Sequence, residues 1–442
     1  MAIELIEQDG MLRFSGRSVF PSRDKNALLR PRDKMLHLFG VVLELYPNEK
    51  QAEFFRRCCG CARVVHNDFI SRNLDIYHNQ HRKLSVSEYK KVFLPNLKKE
   101  RPYLTEVDKF ALEAGIENAE TAFHNFFSGR AKYPKFASKS RPSGNRYTTK
   151  ETNGNIAIGM YDGSPCVKLP KAGYVSFAMP KGCTFSNIVP IGARITKATI
   201  SLKNDRWFVS LALETIIDLV HPIRSLARSE ILAGDAGIKE FLIYGGETAE
   251  NTVHVENPRW IRVHEKRLRR FQKQMSRRQY DCKTHKGSRN WQKAKKKVAK
   301  EQLKIANQRK DFQHKLSRKI ADSCVVFLKE DLNIKGMMKN HRLSKEIVSV
   351  GWGGFFEKLK YKLERKGGAV ISVGRFFASS QICSCCGAKN PDVKDLSVRK
   401  WTCPECGAIH DRDINAKQNI WREGVSLMES QDYIIYDNSI TA

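Results

Sequence analysis

Three textures of apolar and polar residues succeed one another along the first half of this chain. Leu38-Phe39-Gly40-Val41-Val42-Leu43-Glu44-Leu45 is apolar at nearly every position and stops at Pro47, which predicts a strand. From Glu49 to Tyr77 the apolar positions take helical spacing, with Phe54, Phe55, Ala62, Val65 and Phe69 on one side. The same spacing returns from Val107 to Phe127, through Phe110, Ala114, Ile116, Ala119, Ala122, Phe123 and Phe126, and ends at Gly129. Between Ile156 and Glu214 the runs shorten and alternate: Val167 to Leu169, Tyr174 to Phe177, Ile195 to Leu202, and Trp207 to Leu213. Turn residues such as Asn204-Asp205 separate them, which predicts a small antiparallel sheet or barrel. The strand at Leu38 has no partner nearby. It is expected to join that sheet, with the helices of 49–149 inserted between.

In the second half, His221 to Ser229 reads as a linker, and Ile231 to Ile238 as a strand ending in an acid and a glycine. Phe241 to Tyr244 returns from it as a hairpin that presents Asp235 at its rim. Arg259 to Ile320 is the longest helical tract, with Leu268, Phe271 and Met275, then Trp291, Ala294 and Val298, facing a core, and Lys286-Gly287-Ser288 breaks it into a hairpin. Cys324 to Leu332 is a buried strand ending in Glu330 and Asp331; a helix at 354–365 and a strand at 369–373 follow. Residues 1–35 lack periodicity and read as a poorly ordered or accessory extension. Beyond Glu423 the tail turns acidic and irregular.

Charge changes the picture. Lys and Arg total 78 against 47 acids, a net charge of +31 in 442 residues. Self-repulsion of this size calls for a polyanion, so nucleic acid is the expected partner. The excess is concentrated: seventeen Lys or Arg face two acids between Arg259 and Lys300, which favours a phosphate-tracking groove over a merely solvated face. Arg130 to Phe136 interleaves bases with aromatics, a composition suited either to pairing phosphates and stacking on bases or to a solvated loop pinned by two rings. A run of 18 apolar residues and a lipidation motif are both missing, which speaks against a membrane protein. The start, MAIELIEQDG, is acidic and lacks the features of a signal peptide. Outside one cluster the cysteines are scattered, which suits a reducing interior; the expected location is cytoplasmic, at the nucleoid.

That cluster carries chemistry. Cys383/Cys386 and Cys403/Cys406 are two Cys-x-x-Cys pairs bracketing a short polar spacer, each followed by a glycine. This is the spacing of a four-thiolate zinc ribbon, with Cys385 a bystander inside the first knuckle. Cys58, Cys59 and Cys61, near His66, read as small buried thiols rather than a second metal site. Asp235, Glu330 and Asp413 each mark the end of a strand or the start of a helix beside one. Delivered to one rim of a mixed α/β sheet, such acids suit two-metal phosphodiester hydrolysis with Mg²⁺, which prefers oxygen ligands. Asp331, Asp411 and Asp322 compete for the same part.

Taken together, Tyr46 to Gln51, Cys61 to Asn67, Tyr133 to Phe136, Gly234 to Gly237, Arg309 to Phe312 with Leu316-Ser317, Glu330 to Gly336, Ser379 to Cys383 and His410 to Ala416 resemble the TnpB family of transposon-associated RNA-guided nucleases and the compact type V CRISPR effectors related to it. In order and spacing these stretches cover roughly residues 38–424. The resemblance implies a multidomain α+β chain: a RuvC-like, RNase H-type nuclease domain (228–379 and 408–424) interrupted by a zinc ribbon (380–407). It also implies a wedge-type β-barrel (37–48 and 150–222) carrying an inserted helical recognition lobe (49–149), with an extension (1–36) and a tail (425–442) outside. Matched by motif, the catalytic and magnesium-binding acids fall on Asp235, Glu330 and Asp413, the last chosen over Asp411 because the family's ligand is the second aspartate of His-Asp-Arg-Asp. Ala236 stands where the family commonly has a larger apolar residue, a change that removes no ligand.

The implied cofactors are two Mg²⁺ ions, a structural Zn²⁺ and a guide RNA. The implied partners are that RNA, a double-stranded DNA target and its displaced single strand, bound by a monomer or homodimer. Arg56, Arg57, Arg63, Lys132, Tyr133, Lys135, Arg269, Arg270, Lys295 and Lys296 are the candidate nucleic-acid contacts. Two alternatives remain: a guided repressor that has lost cleavage, and an unguided accessory of transposition. Transposon-encoded and CRISPR-associated versions are not separable from the sequence.

Overall fold

The computed structural model describes residues 5–8, 11–14, 34–139, 144–218, 220–281, 286–340, 344–395 and 397–437. The chain divides into two compact units, Met1–Leu219 and Val220–Ala442, each with its own core.

In the first unit the strand predicted at Leu38 spans Lys34–Tyr46 and pairs antiparallel with Arg206–Asp218, Leu38 opposite Glu214 and Leu45 opposite Trp207. A period of two is hidden in its apolar run. Leu43 and Leu45 are buried with Phe39 and Val41 packed behind them, while Leu38 and Val42 face outwards. These strands belong to an antiparallel sheet ordered Leu5–Gln8, Met11–Phe14, Ala157–Tyr161, Ser164–Leu169, Gly173–Phe177, Lys34–Tyr46, Arg206–Asp218, Arg194–Lys203, Arg146–Lys150. Among the described residues no pairing joins its first strand to its last. The extension before residue 36 lies mostly outside the described residues. Its two described strands are not irregular: they form a hairpin on the sheet edge at Ala157–Tyr161.

The helix Glu49–Gln80 starts at a reciprocal cap, in which the Asn48 side chain accepts from the Gln51 N–H and Gln51 returns a bond to the Asn48 N–H. Helix Lys109–Phe127 packs tightly against it, because a Cβ at Gly115 would stand 2.7 Å from the Ala62 carbonyl oxygen. Cys58, Cys59 and Cys61 lie in this core. Burial pushes the first two thiols up to about 12, and His66 Nδ1 meets the Gly115 carbonyl, so the trio packs as apolar groups.

The second unit is built on a sheet ordered Val253–Glu256, Glu240–Gly245, Ile231–Asp235, Val326–Glu330, Ala369–Val373. The last three strands are parallel and the first two add as an antiparallel hairpin. Val326, Phe327 and Leu328 are all fully buried because a helix covers each face. Phe327 packs with Phe355 and Leu359 of helix Trp352–Glu364, whereas Val326 and Leu328 pack with Ile420 and Val425 of helix Arg412–Glu429. One tryptophan pins each helix: Trp352 Nε1 donates to the Phe241 carbonyl (3.2 Å) and Trp421 Nε1 to the Ile231 carbonyl (3.1 Å). The helix Arg412–Glu429 also lies close enough to the strand Val326–Glu330 to need Gly424, where a Cβ would lie 2.5 Å from Leu328 Cδ1. Gly424→Ala is expected to destabilise this unit by about 1–3 kcal/mol, seen as a lower thermal midpoint, because Leu328 has no room to yield.

The basic tract folds as helices Trp260–Ser276 and Arg289–Ala321, joined through a short ribbon at Tyr280–Asp281 and Lys286–Gly287. His264 ties them together by bridging buried Glu301 (2.7 Å) and Gln308 (2.8 Å). Two stretches read as irregular are ordered. Ser225–Ala227, inside the expected linker, pairs in parallel with Ile434–Tyr436 of the tail, and the helix from Arg412 runs to Glu429, past the expected boundary at 425. Strands of three residues carry no periodicity, and what holds this pair is non-local: the Ile434 N–H donates to the Arg224 carbonyl (2.8 Å) and Arg224 stacks over Tyr433.

Candidate active site and metal centre

The ribbon is two copies of one knuckle. In the first, the Cys383 N–H donates to Ala388 and the Gly387 N–H to Cys383; in the second, Cys403 donates to Ala408 and Gly407 to Cys403. Both glycines sit at positive φ, +78° and +71°, which a Cβ would strain. The four Sγ atoms of Cys383, Cys386, Cys403 and Cys406 lie within 4.8 Å of one another, with Cys383–Cys406 and Cys386–Cys403 each 3.6 Å apart. Tetrahedral thiolates at a Zn–S distance of about 2.3 Å stand roughly 3.8 Å apart, so the set fits zinc and is too wide for disulfides. Desolvation raises the Cys383 thiol, but the N–H groups of Cys386 and Cys385 and the His410 ring outweigh it and bring it to about 5. His410 Nε2 lies 3.0 Å from Cys383 Sγ, and Cys383, Cys385 and His410 form an overlapping group of possible ligands.

The acids come from three elements. Asp235 ends one strand and Glu330 its parallel neighbour, one step beyond the Gly234–Lys329 pair, so the two lie side by side. Asp413 lies in the first turn of the helix Arg412–Glu429. Burial, then the charges of Glu330 and Asp413, push Asp235 up to about 8, with Arg412 opposing. Burial also raises Glu330, against a hydrogen bond from the Ser379 hydroxyl, and Asp413, against Arg399, whose Nη1 is 3.1 Å from Oδ2. The competing acids have other partners. Asp411 caps the helix by accepting from the N–H groups of Asp413 (3.0 Å) and Ile414 (3.2 Å). Asp331 accepts from Arg375 (2.6 Å), and Asp322 from Lys366 (2.6 Å) and Arg318 (2.8 Å). Among the described residues, the groups with three or more ligand atoms within 4.8 Å of one another are the four ribbon cysteines and Cys383, Cys385 and His410, so the carboxylates are spread wider than the ligands of one ion.

Crowded acids make the metal-free fold pH-sensitive. The folded pKa of Asp235, about 8, lies above its ordinary 3.8, so its contribution to stability is complete below about pH 4 and is lost as pH rises towards 8. The thermal midpoint of the metal-free protein is expected to fall over that window and to recover with Mg²⁺ at the upper end. Asp235→Asn should flatten the slope; an unchanged slope would contradict this origin.

Two asparagines to which sequence reasoning gave no part, Asn415 inside the last motif and Asn419 just beyond it, tie ribbon and acids together. Asn415 Nδ2 donates to the Ile382 carbonyl (2.7 Å), and its Oδ1 accepts from the Ser384 N–H (2.9 Å). One turn on, Asn419 donates to the carbonyls of Ser379 (2.8 Å) and Ile382 (2.6 Å). The helix that carries Asp413 therefore grips the segment whose Ser379 holds Glu330 and whose Cys383 belongs to the ribbon. Arg399 lies in none of the motifs, and its only signal in the sequence is a positive charge next to the second knuckle.

The candidate nucleic-acid residues fare differently. In the first unit Arg57 pairs with Glu106 and Arg63 donates to the Gly144 carbonyl, whereas Arg56, Lys132 and Lys135 are exposed. Tyr133 packs edge-on against Phe123 and Phe126 with 43% of its surface exposed. In the second unit Arg269 pairs with Glu265, Arg270 lies over Phe271 and Lys295 over Trp291, and Lys296 is exposed.

Residues 352–420 match a family model described as "Cas12f1-like, TNB domain", residues 219–341 one described as "Probable transposase" and residues 35–83 one described as "Helix-turn-helix domain". The last stretch is folded as the strand Lys34–Tyr46 followed by the single helix Glu49–Gln80. A relative from Streptomyces pristinaespiralis, named "Putative RNA-guided DNA endonuclease", is 30% identical over 401 residues, covering 88% of this chain and 90% of its own. The chain belongs to the TnpB family. Another relative, "Putative RNA-guided DNA endonuclease InsQ" of Escherichia coli (strain K12), is 24% identical over 412 residues, 89% of this TnpB-family chain and 94% of its own. The solved structure "Cryo-EM structure of the Cas12f1-sgRNA-target DNA complex" covers 85% of this chain and 83% of its own at 14% identity, with a TM-score of 0.58, and so shares the multidomain α/β fold. Among the described residues no helix of this TnpB-family chain is long and apolar enough to cross a membrane.

Proposed function

We propose that this chain is an RNA-guided DNA endonuclease whose hydrolytic centre is Asp235, Glu330 and Asp413. The observation that carries the reading is the meeting of these three acids, from two parallel strand ends and a helix start, with each raised by burial and Asp235 also by the other two. An all-oxygen donor set wider than one ion's shell suits a pair of Mg²⁺ ions. Held by these three carboxylates, such ions would lower the pKa of an attacking water and stabilise the leaving oxygen. The chain's own residues prepare the place: Ser379 orients Glu330, Asp411 fixes the helix start, and Arg399 keeps a positive charge at Asp413 where a phosphate would arrive. The parallel trio of strands with an added antiparallel hairpin supports the RuvC-like reading of 228–379 and 408–424, with 380–407 as a zinc ribbon held by its four thiolates.

We assign 37–48 and 150–222 to a wedge-type domain, of which 220–222 fall in the second unit, and 49–149 to a helical recognition lobe, whose last residues, 146–149, belong instead to a strand of the sheet. The names of the relatives, and the net charge of +31, support a guide RNA and a DNA target; with it goes the reading that the guide pairs with double-stranded DNA and leaves one strand displaced, in a protein acting at the nucleoid. The test is to sequence the RNA that copurifies, remove it with nuclease, and assay a matching duplex with Mg²⁺. Cleavage lost on RNA removal and restored by that RNA alone is expected. Cutting that does not depend on RNA would sink guidance, and guided binding without cutting would leave a repressor.

A further inference from the structure

Phe376 is 94% exposed, more than any other large apolar side chain among the described residues. Apolar rings gain by leaving water, so one left almost wholly in it invites a reason. Flexibility is not one, because the backbone on both sides is tied down. The Phe377 N–H donates to the Gly374 carbonyl (3.0 Å) and the Gln381 N–H to the Ala378 carbonyl (2.9 Å). Arg375 grips Asp331 through Nε (3.0 Å) and Nη2 (2.6 Å), and Phe377 occupies the place against the core of Val373 and Trp421. Ser379 reaches Glu330, and Asn419 holds the Ser379 carbonyl. The backbone that carries the ring is thus held between Arg375 and Ser379, whose side chains reach Asp331 and Glu330, three residues past the end of the strand Ala369–Val373, where Val373 pairs with Glu330 at the rim of the carboxylates.

We infer that Phe376 is a base-stacking residue, receiving an unpaired base of the strand delivered to Asp235, Glu330 and Asp413. This rests on the nuclease reading above. An exposed aromatic face suits a nucleobase, and the charge of +31 favours nucleic acid over an apolar protein partner. The bases of an intact duplex already have both faces covered by their neighbours, so the ligand is a single strand. Stacking accepts any base and fixes where the strand lies along the rim, and with it which phosphate meets the acids.

The test uses the full chain with its copurified RNA on matching duplexes that carry one abasic nucleotide at successive positions around the cut. With wild-type protein, one position should slow single-turnover cleavage about 10-fold, a typical worth of one stacked base. Phe376→Ala should cut intact DNA about 10-fold more slowly, or shift the cut, and show no further loss at that position, whereas Phe376→Trp should behave as wild type. In EDTA, where nothing is cut, 5-iodouracil at the same position should photo-crosslink to the peptide containing Phe376. If wild type cuts while Phe376→Ala matches it in rate and in abasic sensitivity, the stacking assignment falls and the nuclease reading stands. If wild type cuts no duplex, the nuclease reading falls, and the crosslink alone decides whether a base meets the ring. A change in sedimentation of Phe376→Ala, with cleavage intact, would assign the ring to a contact between chains and overturn the inference.

Discussion

Asp235→Asn is expected to reduce guided cleavage by on the order of 10³-fold or more while leaving RNA and target binding unchanged. The substitution keeps the size and the strand end but removes the charge that cations would balance. It lies beside Glu330 and feels the charge of Asp413 as well, and burial and these charges push its pKa up to about 8. Removing that charge relieves repulsion, so the metal-free variant at pH 8 should melt higher than wild type even as activity vanishes. Opposite signs for stability and activity separate loss of a working group from loss of fold. A variant that melts lower, or that still cuts at a tenth of the wild-type rate, would remove Asp235 from the centre.

Cys403→Ser is expected to abolish zinc binding, from about one ion per chain to none by mass spectrometry, and to lower cleavage by about 10–100-fold with RNA binding retained. The ribbon has little else to fold around: its core is Val393 and Trp401 with two of the cysteines. Structural zinc supplies an apparent 10–16 kcal/mol to such modules, roughly the whole stability of the piece. The loss should spread to the acids because the pieces share contacts. The Arg412 N–H donates to the Arg399 carbonyl (2.8 Å), Arg399 lies on Asp413, and Asn415 and Asn419 hold the segment that carries both Ser379 and Cys383. A zinc-free variant with full activity would show that the ribbon does not support the centre.

Much of this site could be read from the sequence because its signals are local. Paired Cys-x-x-Cys spacing with a following glycine states a knuckle whatever surrounds it, and an acid at the end of an apolar run states a strand rim. Asp413 could not be separated from Asp411 by residue type; the family motif favoured it, and in the structure Asp411 is occupied as a helix cap. What escaped was non-local or too short to repeat. Ser225–Ala227 and Ile434–Tyr436 pair across some two hundred residues with no periodicity in either, and the strand Val253–Glu256 is mostly exposed. The grip of Asn415 and Asn419 depends on backbone carbonyls, which leave no mark in side-chain spacing. Arg57 and Arg63 looked like free cations and are engaged within their own unit, because a positive charge in sequence does not reveal its partner.

The measurement that bears most directly on the centre is anomalous diffraction from crystals of the RNA-loaded protein with target DNA and Mn²⁺ in place of Mg²⁺. Two peaks about 4 Å apart, bounded by Asp235, Glu330 and Asp413 and lost in Asp235→Asn, are the predicted result. Manganese bound elsewhere beside the cut strand, with these three carboxylates empty in crystals that cleave, would contradict the account.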